Sequence, residues 1–371
     1  MRGIYLSNYN LAEISSGVSK KISMQLDAFI QNGIEIEAPK VFADSYFAKA
    51  YVKLPFVSSV YDLNIKKYII SQNLNEIHFV YLRHNLFTQQ LYKNLKRLKL
   101  KGIKVLYEIP TYPYDRNEHK LKNTFMRSKD KYWREKCGKY IDYIIDYSGS
   151  DFIYGVKTIN ISNGINPDFI VPKKEFSHDL SIHMIGVALM APVHAFDRVI
   201  NSIQSYYELN PKRKIYFHII GNGDSRPYLE SLTRKLGMKE YIIFHGLKYG
   251  KELDKLYDIA DIGVGVLGIH RRYANQKVSS LKTKEYAAKG IPFISAEYDD
   301  AFEKYECDFK FMIEQNDSNF SIIEMLNWYD SIISKHISKE KLAEYIRNYA
   351  YRYLTWKEQI SKVLLEAKIN S

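Results

Sequence analysis

Apolar residues run almost unbroken over positions 2–7, 34–38, 77–82 and 104–108. Such runs predict central strands of a parallel sheet, buried on both faces. Between them lie longer stretches whose apolar positions recur every three or four residues, the signature of amphipathic helix. Helices are predicted at 17–31, where Val18, Ile22, Leu26 and Phe29 mark the apolar face, at 86–100 and at 118–140, with another strand at 141–147. The segment INISNGI (159–165) closes this half, and residues 166–178, with two prolines and mixed charge, read as a linker.

The pattern then restarts. Strands are predicted at 181–186, 214–220, 241–244 and 262–267, and helices at 195–209, 226–236 and 251–260. Strands alternating with helices of this length mean parallel βαβ units with right-handed crossovers. The fold class is α/β: two Rossmann-like domains, 1–166 and 179–352, facing across a cleft, as suits a chain of 371 residues. Residues 342–368 read as helix, with Tyr345, Tyr349, Tyr353, Trp356, Ile360 and Leu364 along one side. No period of about 20–50 residues marks a repeat array.

The stretch 278–295 organises the chemistry. It reads as a loop, a short helix, a glycine stop at Gly290, and a buried strand after Pro292. Ser279 or Ser280 can cap the helix. Free N–H groups and the positive dipole end make a helix start of this kind a place for phosphate. Lys282 adds a cation in the first turn, and Glu285, one turn further in, suits a pair of sugar hydroxyls, so a diphosphate and a ribose of one ligand fit the unit. An ordinary capped helix of an α/β protein reads the same way on spacing alone.

The run SSLKTKEYAAKGIPFI, preceded by GVGVLGIHRR, resembles the donor-binding segment of GT-B nucleotide-sugar glycosyltransferases, above all the retaining enzymes called family 4. HIIGNGDS and FHGLKYGKELDKLYDIADIGVG add to the resemblance, which is close over 180–296 and looser over 1–165. It implies that Glu285 holds the nucleotide ribose and that Gly221, Gly223, Ser279, Ser280, Leu281 and Lys282 surround the diphosphate. It also implies that the last helix, about 353–371, crosses back to the first domain. The family often carries a second Glu eight residues before the first; Lys277 stands there in this chain. Family members place an Arg and a Lys in the loop matching GVALMAPVHAFDR, where His194 takes the lysine's place. His194 reads either as a phosphate contact or as a structural histidine. Lys282, His194 and Arg271 are the catalytic candidates, with Arg198 and Arg272 as further cations. Preorganised cations suit this reaction because negative charge grows on the departing phosphate.

On the acceptor side, the loop YEIPTYPYDRN (107–117) follows a strand end, where open α/β sheets place ligands. Glu108, Thr111, Tyr112, Tyr114 and Asp115 offer polar groups there, although a structural loop is equally consistent. Gly17 opens a helix after the first strand, as an acceptor contact or as a simple tight turn, and His84 reads as an acceptor contact or a surface residue.

Charge adds a partner. Of the net charge of +12, most comes from residues 86–139, with 15 Lys and Arg against 5 acidic residues. That concentration points to an anionic partner: phosphate groups of a substrate, nucleic acid, or an anionic lipid surface. Basic and aromatic residues alternate at helical spacing over 118–140, which suits a membrane surface or a solvated face over a core stripe. No nucleic-acid-binding motif occurs, so a basic nucleic-acid binder is the weakest reading. Cys137 and Cys307 are too few for a disulfide framework, and no apolar run reaches the roughly 18 residues of a membrane span. Residues 1–10 show no leader pattern, so a cytoplasmic location, or one on the inner face of the membrane, is the expectation. Asp299-Asp300 has no partner cluster, so no metal and no cofactor is expected beyond the nucleotide-sugar donor itself. The expected activity is transfer of a sugar, with retention, from a UDP-sugar to a glycan or lipid-pyrophosphate-linked acceptor in bacterial polysaccharide assembly. A nucleotide-sugar epimerase of the same fold is the alternative.

Overall fold

A computed structural model describes residues 1–12, 17–43, 45, 58–83, 86–113, 124–177, 179–271 and 279–369. The candidates His84, Tyr114, Asp115, Arg272 and Lys277, and residues 118–123 of the basic helix, lie outside the described residues. The chain divides into two compact units, residues 1–161 with 356–371, and residues 162–355.

In the first unit the strands are β1 (Arg2–Leu6), β2 (Glu35–Glu37), β3 (Phe79–Arg83), β4 (Lys104–Glu108), β5 (Tyr143–Asp146), β6 (Phe152–Ile153) and β7 (Val156–Asn160). They form one sheet in the order β2-β1-β3-β4-β5-β7-β6, parallel throughout except for the short hairpin of β6 with β7. Its helices are α1 (Gly17–Gln31), α2 (Val60–Ser71), α3 (Gln89–Leu100) and α4 (Thr124–Gly138). The central strands β3 and β4 are buried almost end to end, which is why they read as unbroken apolar runs.

The second unit holds β8 (Ile182–Val187), β9 (Ile215–Ile220), β10 (Ile242–Gly246), β11 (Ile262–Val264), β12 (Phe293–Ser295) and β13 (Lys310–Met312). The order β10-β9-β8-β11-β12-β13 is parallel throughout. Strand order reverses between β8 and β11, and at such a switch point the loops leaving the two strands part and open a crevice for a ligand. Helices α5 (Phe196–Tyr207), α6 (Arg226–Lys235), α7 (Gly250–Ile259), α8 (Leu281–Lys289), α9 (Asp300–Glu303), α10 (Ile322–Lys335) and α11 (Lys339–Tyr353) complete the unit. Residues 166–177 also belong to it: Lys173 Nζ donates to the Ala260 carbonyl at 2.7 Å, and Lys289 Nζ to the Val171 carbonyl at 3.0 Å.

Helix α8 is anchored from beneath. Tyr286, fully buried, donates its hydroxyl to the carbonyls of Ile185 at 3.2 Å and Val264 at 3.1 Å, so one side chain grips both strands of the switch point. Gly263 permits this, because a Cβ there would stand 2.5 Å from the tyrosine ring. The helix stops at Gly290 (φ 81°), and Ile291 N donates to the Tyr286 carbonyl at 2.9 Å, closing the left-handed stop expected from the sequence.

The stretch that reads as helix over 342–368 holds two helices, the second close to the last helix expected at about 353–371. Helix α11 ends at Tyr353, and α12 runs from Trp356 to Glu366. Between them Leu354 accepts from Ile165 N at 2.9 Å, and Thr355 bridges to Ile165. Helix α12 belongs to the first unit, where Trp356, Ile360, Val363 and Leu364 join Ile22 and Phe29 of α1 in one core cluster.

Candidate functional site

The N-terminal turn of α8 is built differently from a simple capped helix. Ser280 is the N-cap residue, yet its side chain makes no cap hydrogen bond; Oγ donates instead to Glu297 Oε1 at 2.6 Å. Ser279 Oγ accepts from Asn163 N at 2.7 Å and from Lys284 Nζ at 2.8 Å. Neither serine caps the helix, contrary to the sequence-based expectation, because each hydroxyl is engaged elsewhere. Asn163 Nδ2 adds a bond to the Ser279 carbonyl at 2.6 Å, which fixes the approach to the helix.

Three side chains of α8 carry distinct jobs. Lys284 is fully buried in an ion pair with Asp299, whose other oxygen accepts from Ser162 Oγ at 2.7 Å and Ala301 N at 3.1 Å. Lys282 is half-buried, and its Nζ lies 3.0 Å from His194 Nδ1. Burial holds the Lys282 ammonium down to about 8, against the pull of the nearby Glu297 carboxylate. Glu285, also half-buried, is hydrogen-bonded by Tyr257; burial first, and this carboxylate second, push the Tyr257 hydroxyl well above its ordinary value. Leu281 is exposed at the mouth of the turn.

His194 arrives from the loop that leaves β8. A 3₁₀ turn at Pro192–His194 ends in Ala195, left-handed at φ 48°, and the imidazole stacks on Phe196 with ring centres 5.8 Å apart. Gly221 and Gly223 follow β9 with φ of 123° and 151°. A Cβ at either would collide with the loop after β8, 1.9 Å from the Ala188 carbonyl and 2.4 Å from that of Met190. The two glycines therefore let that loop lie against the sheet end, which in turn positions His194.

Two of the other cation candidates are engaged by protein. Arg271 forks onto both oxygens of Asp197 at 2.7 Å each and bonds Asp317 at 2.7 Å, so its guanidinium is held by two carboxylates. Arg198 is buried, donating to the carbonyls of Leu267 at 2.6 Å, Ser318 at 2.9 Å and Glu314 at 3.1 Å. Both tie loops of the second unit together.

In the first unit Glu108 is fully buried at the end of β4. Its Oε1 accepts from Arg83 Nη1 at 2.6 Å and Tyr147 at 2.7 Å, and its Oε2 lies 3.3 Å from the Tyr5 hydroxyl, which donates at 2.7 Å to Gln25 Oε1. Although burial opposes ionisation, Arg83 and Lys21 hold the carboxyl down to about 2. Glu108 thus anchors a polar cluster beneath the strand ends, whereas Thr111 is exposed and Tyr112 packs edge-on against Tyr154 at 5.8 Å. Gly17 begins α1, and Ser19 Oγ ties that helix to the Asn10 carbonyl at 3.0 Å.

Sequence reasoning missed Glu297, Asp299 as the partner of Lys284, Asn163 and Tyr257. None has a spacing signal; their roles come from contacts across long sequence separations. Among the described residues no group of three or more His, Cys, Asp or Glu is placed to hold a metal ion, and no helix is long and apolar enough to cross a membrane.

No protein-family model matches the chain, and no curated protein matches it in sequence. Solved structures do match in fold over essentially the whole length. A glycosyltransferase from Rickettsia africae is 15% identical with a TM-score of 0.61, covering 100% of this chain and 99% of its own. The Anabaena HepE protein in complex with UDP is 13% identical with a TM-score of 0.59, over 98% and 99% of the two chains. Sucrose-phosphate synthase from Thermosynechococcus elongatus is 11% identical with a TM-score of 0.60, over 100% and 99%. With two parallel-sheet units and these relatives in structure, the chain has the fold of the GT-B glycosyltransferases.

Proposed function

We propose that the protein transfers a sugar from a nucleoside diphosphate sugar, a UDP-sugar, to a hydroxyl of a glycan or lipid-pyrophosphate-linked acceptor, with retention and without a metal. The observation that carries this is the Lys282–His194 pair, 3.0 Å apart, at the start of a helix whose N-cap hydroxyl is turned away. Such a place offers an anion a cation together with the N–H groups of a helix start. On this reading Lys282 and the first-turn N–H groups take the charge that develops on the leaving diphosphate. His194, accepting from Lys282 at Nδ1, orients that ammonium for the same phosphates, and Glu285 receives the ribose hydroxyls. The glycine turn of Gly221 and Gly223 forms the rim. UDP is the nucleotide favoured, since HepE, of like fold, is described with it.

The acceptor belongs on the first unit, with Thr111 and Tyr112 shortly after β4, Gly17 at the start of α1, and Arg83 and Glu108 buried at the ends of β3 and β4. The basic stretch 86–139 suits an anionic acceptor or an anionic membrane surface in a cytoplasmic, membrane-peripheral enzyme of bacterial polysaccharide assembly. Helix α4 carries its part of that charge over aromatic rings: Lys136 Nζ lies 3.9 Å from the Tyr132 ring centre, and Arg134 4.3 Å from that of Tyr154.

The test is thermal stabilisation by a panel of nucleoside diphosphates, followed by donor hydrolysis with the best binder. A ligand that prefers the folded state raises the melting temperature. Stabilisation by UDP with slow release of sugar from its donor is expected; no stabilisation by any nucleotide sinks the proposal. Interconversion of donor sugars with no acceptor present moves the assignment to an epimerase.

A further inference from the structure

The hydroxyl protons of the two serines before α8 go different ways. Ser280 Oγ donates to Glu297 Oε1 at 2.6 Å. Ser279 Oγ, half-buried, instead receives two bonds, from Asn163 N at 2.7 Å and from Lys284 Nζ at 2.8 Å. A backbone N–H and an ammonium only donate, and a hydroxyl oxygen has two lone pairs, so both pairs are taken. The proton of Ser279 is left with the one remaining tetrahedral direction, and no described residue accepts it.

Both donors are held by the protein itself. The Lys284 side chain is 0% exposed and ion-paired with Asp299, which in turn accepts from Ser162 Oγ at 2.7 Å. Asn163 also fixes the Ser279 backbone, its Nδ2 donating to the Ser279 carbonyl at 2.6 Å. Ser162 and Asn163 are the first residues of the second unit, so the chain reaches Ser279 as soon as it enters that unit. A cation bonded to a hydroxyl oxygen polarises its O–H and strengthens it as a donor.

Resting on the nucleotide-sugar reading above, we infer that Lys284 and Asn163 are positioning residues: they fill the oxygen of Ser279 and turn its proton to a diphosphate oxygen of the donor. A hydroxyl with no lone pair to offer suits a partner that only accepts, as phosphate oxygens do. Lys284 is too deep to meet a ligand, and Asp299 answers its charge, so it acts on the donor through Ser279.

The test compares UDP with uridine on the full chain, UDP by titration calorimetry and uridine by ligand-detected NMR. Ser279→Ala should weaken UDP about tenfold, the scale of one hydrogen bond to a charged group, and leave uridine within about twofold. Ser279→Thr keeps the hydroxyl and should bind UDP more tightly than Ser279→Ala. Lys284→Met is combined with Asp299→Asn, so that no unpaired charge is buried and the net charge stays the same. With one lone pair of Ser279 free, its hydroxyl is no longer confined to donating, and this double variant should bind UDP several-fold more weakly. In the Ser279→Ala background the same two changes should cost nothing further. Melting curves without ligand separate a folding loss from a binding loss. Equal losses for UDP and uridine, a Ser279→Ala that binds UDP like the parent, or additive losses in the combined variant overturn the inference while leaving the nucleotide site standing. A parent chain that binds no nucleotide overturns both.

Discussion

The ammonium of Lys282 lies 3.0 Å from Nδ1 of His194, a residue 88 positions earlier in the chain. The lysine donates and the imidazole accepts, so His194 is fixed as the tautomer with its proton on Nε2. The loop leaving β8 and the first turn of α8 thereby bring an imidazole and a cation to one place beside the switch point of the sheet. Each residue is plausible alone as a phosphate contact; their contact makes them a unit.

Lys282 gives the unit a pH dependence. Burial lowers its ammonium to about 8, so the charged form is lost as pH rises through that value. If the charge stabilises the departing diphosphate, kcat/KM for the donor should fall on the alkaline side of about 8. Lys282→Arg, which stays charged, should keep a flat profile at reduced rate, and Lys282→Met should lose roughly 100-fold or more, the usual scale for a removed electrostatic donor. A parent profile flat to well above that pH would remove Lys282 from the chemistry.

Arg271 should behave as a brace. Held by Asp197 on two bonds and Asp317 on a third, its guanidinium joins the loop after β11 to the start of α5. Arg271→Ala should cost about 1–3 kcal/mol of stability, the range for hydrogen bonds to charged groups in a half-buried pair. Asp197→Asn should show a similar loss, and the two together less than the sum. Unchanged melting with abolished UDP binding in Arg271→Ala would return the arginine to the ligand.

Much of this was legible in the chain. Buried parallel strands read as unbroken apolar runs, and α8 announced itself through Gly290 and Pro292, because local backbone geometry demands those residues. The break after Tyr353 leaves no mark in the spacing, since Tyr353, Trp356 and Ile360 keep a helical period across it; only the resemblance pointed to a separate last helix at about 353–371. The pairing of Arg271 with Asp197, and of Ser280 with Glu297, was hidden for another reason. A charged residue in a loop looks the same in sequence whether it meets solvent, a ligand or a carboxylate 74 positions away, as Arg271 does.

Glu108 tests the first unit. Its carboxylate is the acceptor that Arg83 and Tyr147 share, and its removal leaves a buried guanidinium without its partner. Glu108→Gln should cost about 3–5 kcal/mol, as broken buried pairs do. The sign of the pH effect follows from the carboxyl being held down to about 2. Its contribution is fully present above the ordinary carboxylate range near 4.5 and is lost as pH falls from there toward about 2. Melting temperatures of parent and variant should therefore converge in acid; a constant gap down to pH 2.5 would count against the ion pair.

The second unit carries an acid-sensitive feature of another kind. Three imidazoles lie in a row across β8, β9 and β10: His183 Nδ1 is 2.9 Å from His218 Nε2, and His218 Nδ1 is 2.9 Å from His245 Nε2. Ser181 Oγ donates to Asp179 at 2.5 Å and so accepts from His183 Nε2, which sets every ring as the Nε2–H tautomer and leaves each inner Nδ1 already occupied as an acceptor. An extra proton on an inner ring must break a bond of this row. Burial lowers all three, His218 to about 4; Asp261 and Asp179 oppose this at His183, while Lys173 and Lys339 there and Lys248 beside His245 add to it. Because the folded values lie below the unfolded 6.5, the stability is present above 6.5 and is lost as pH falls toward about 4. For His218 alone the full loss is roughly 3 kcal/mol. His218→Leu should melt lower than the parent at pH 7.5 but lose less on going to pH 5, so that the two curves approach. Parallel curves over that range would mean that the row does not titrate with folding.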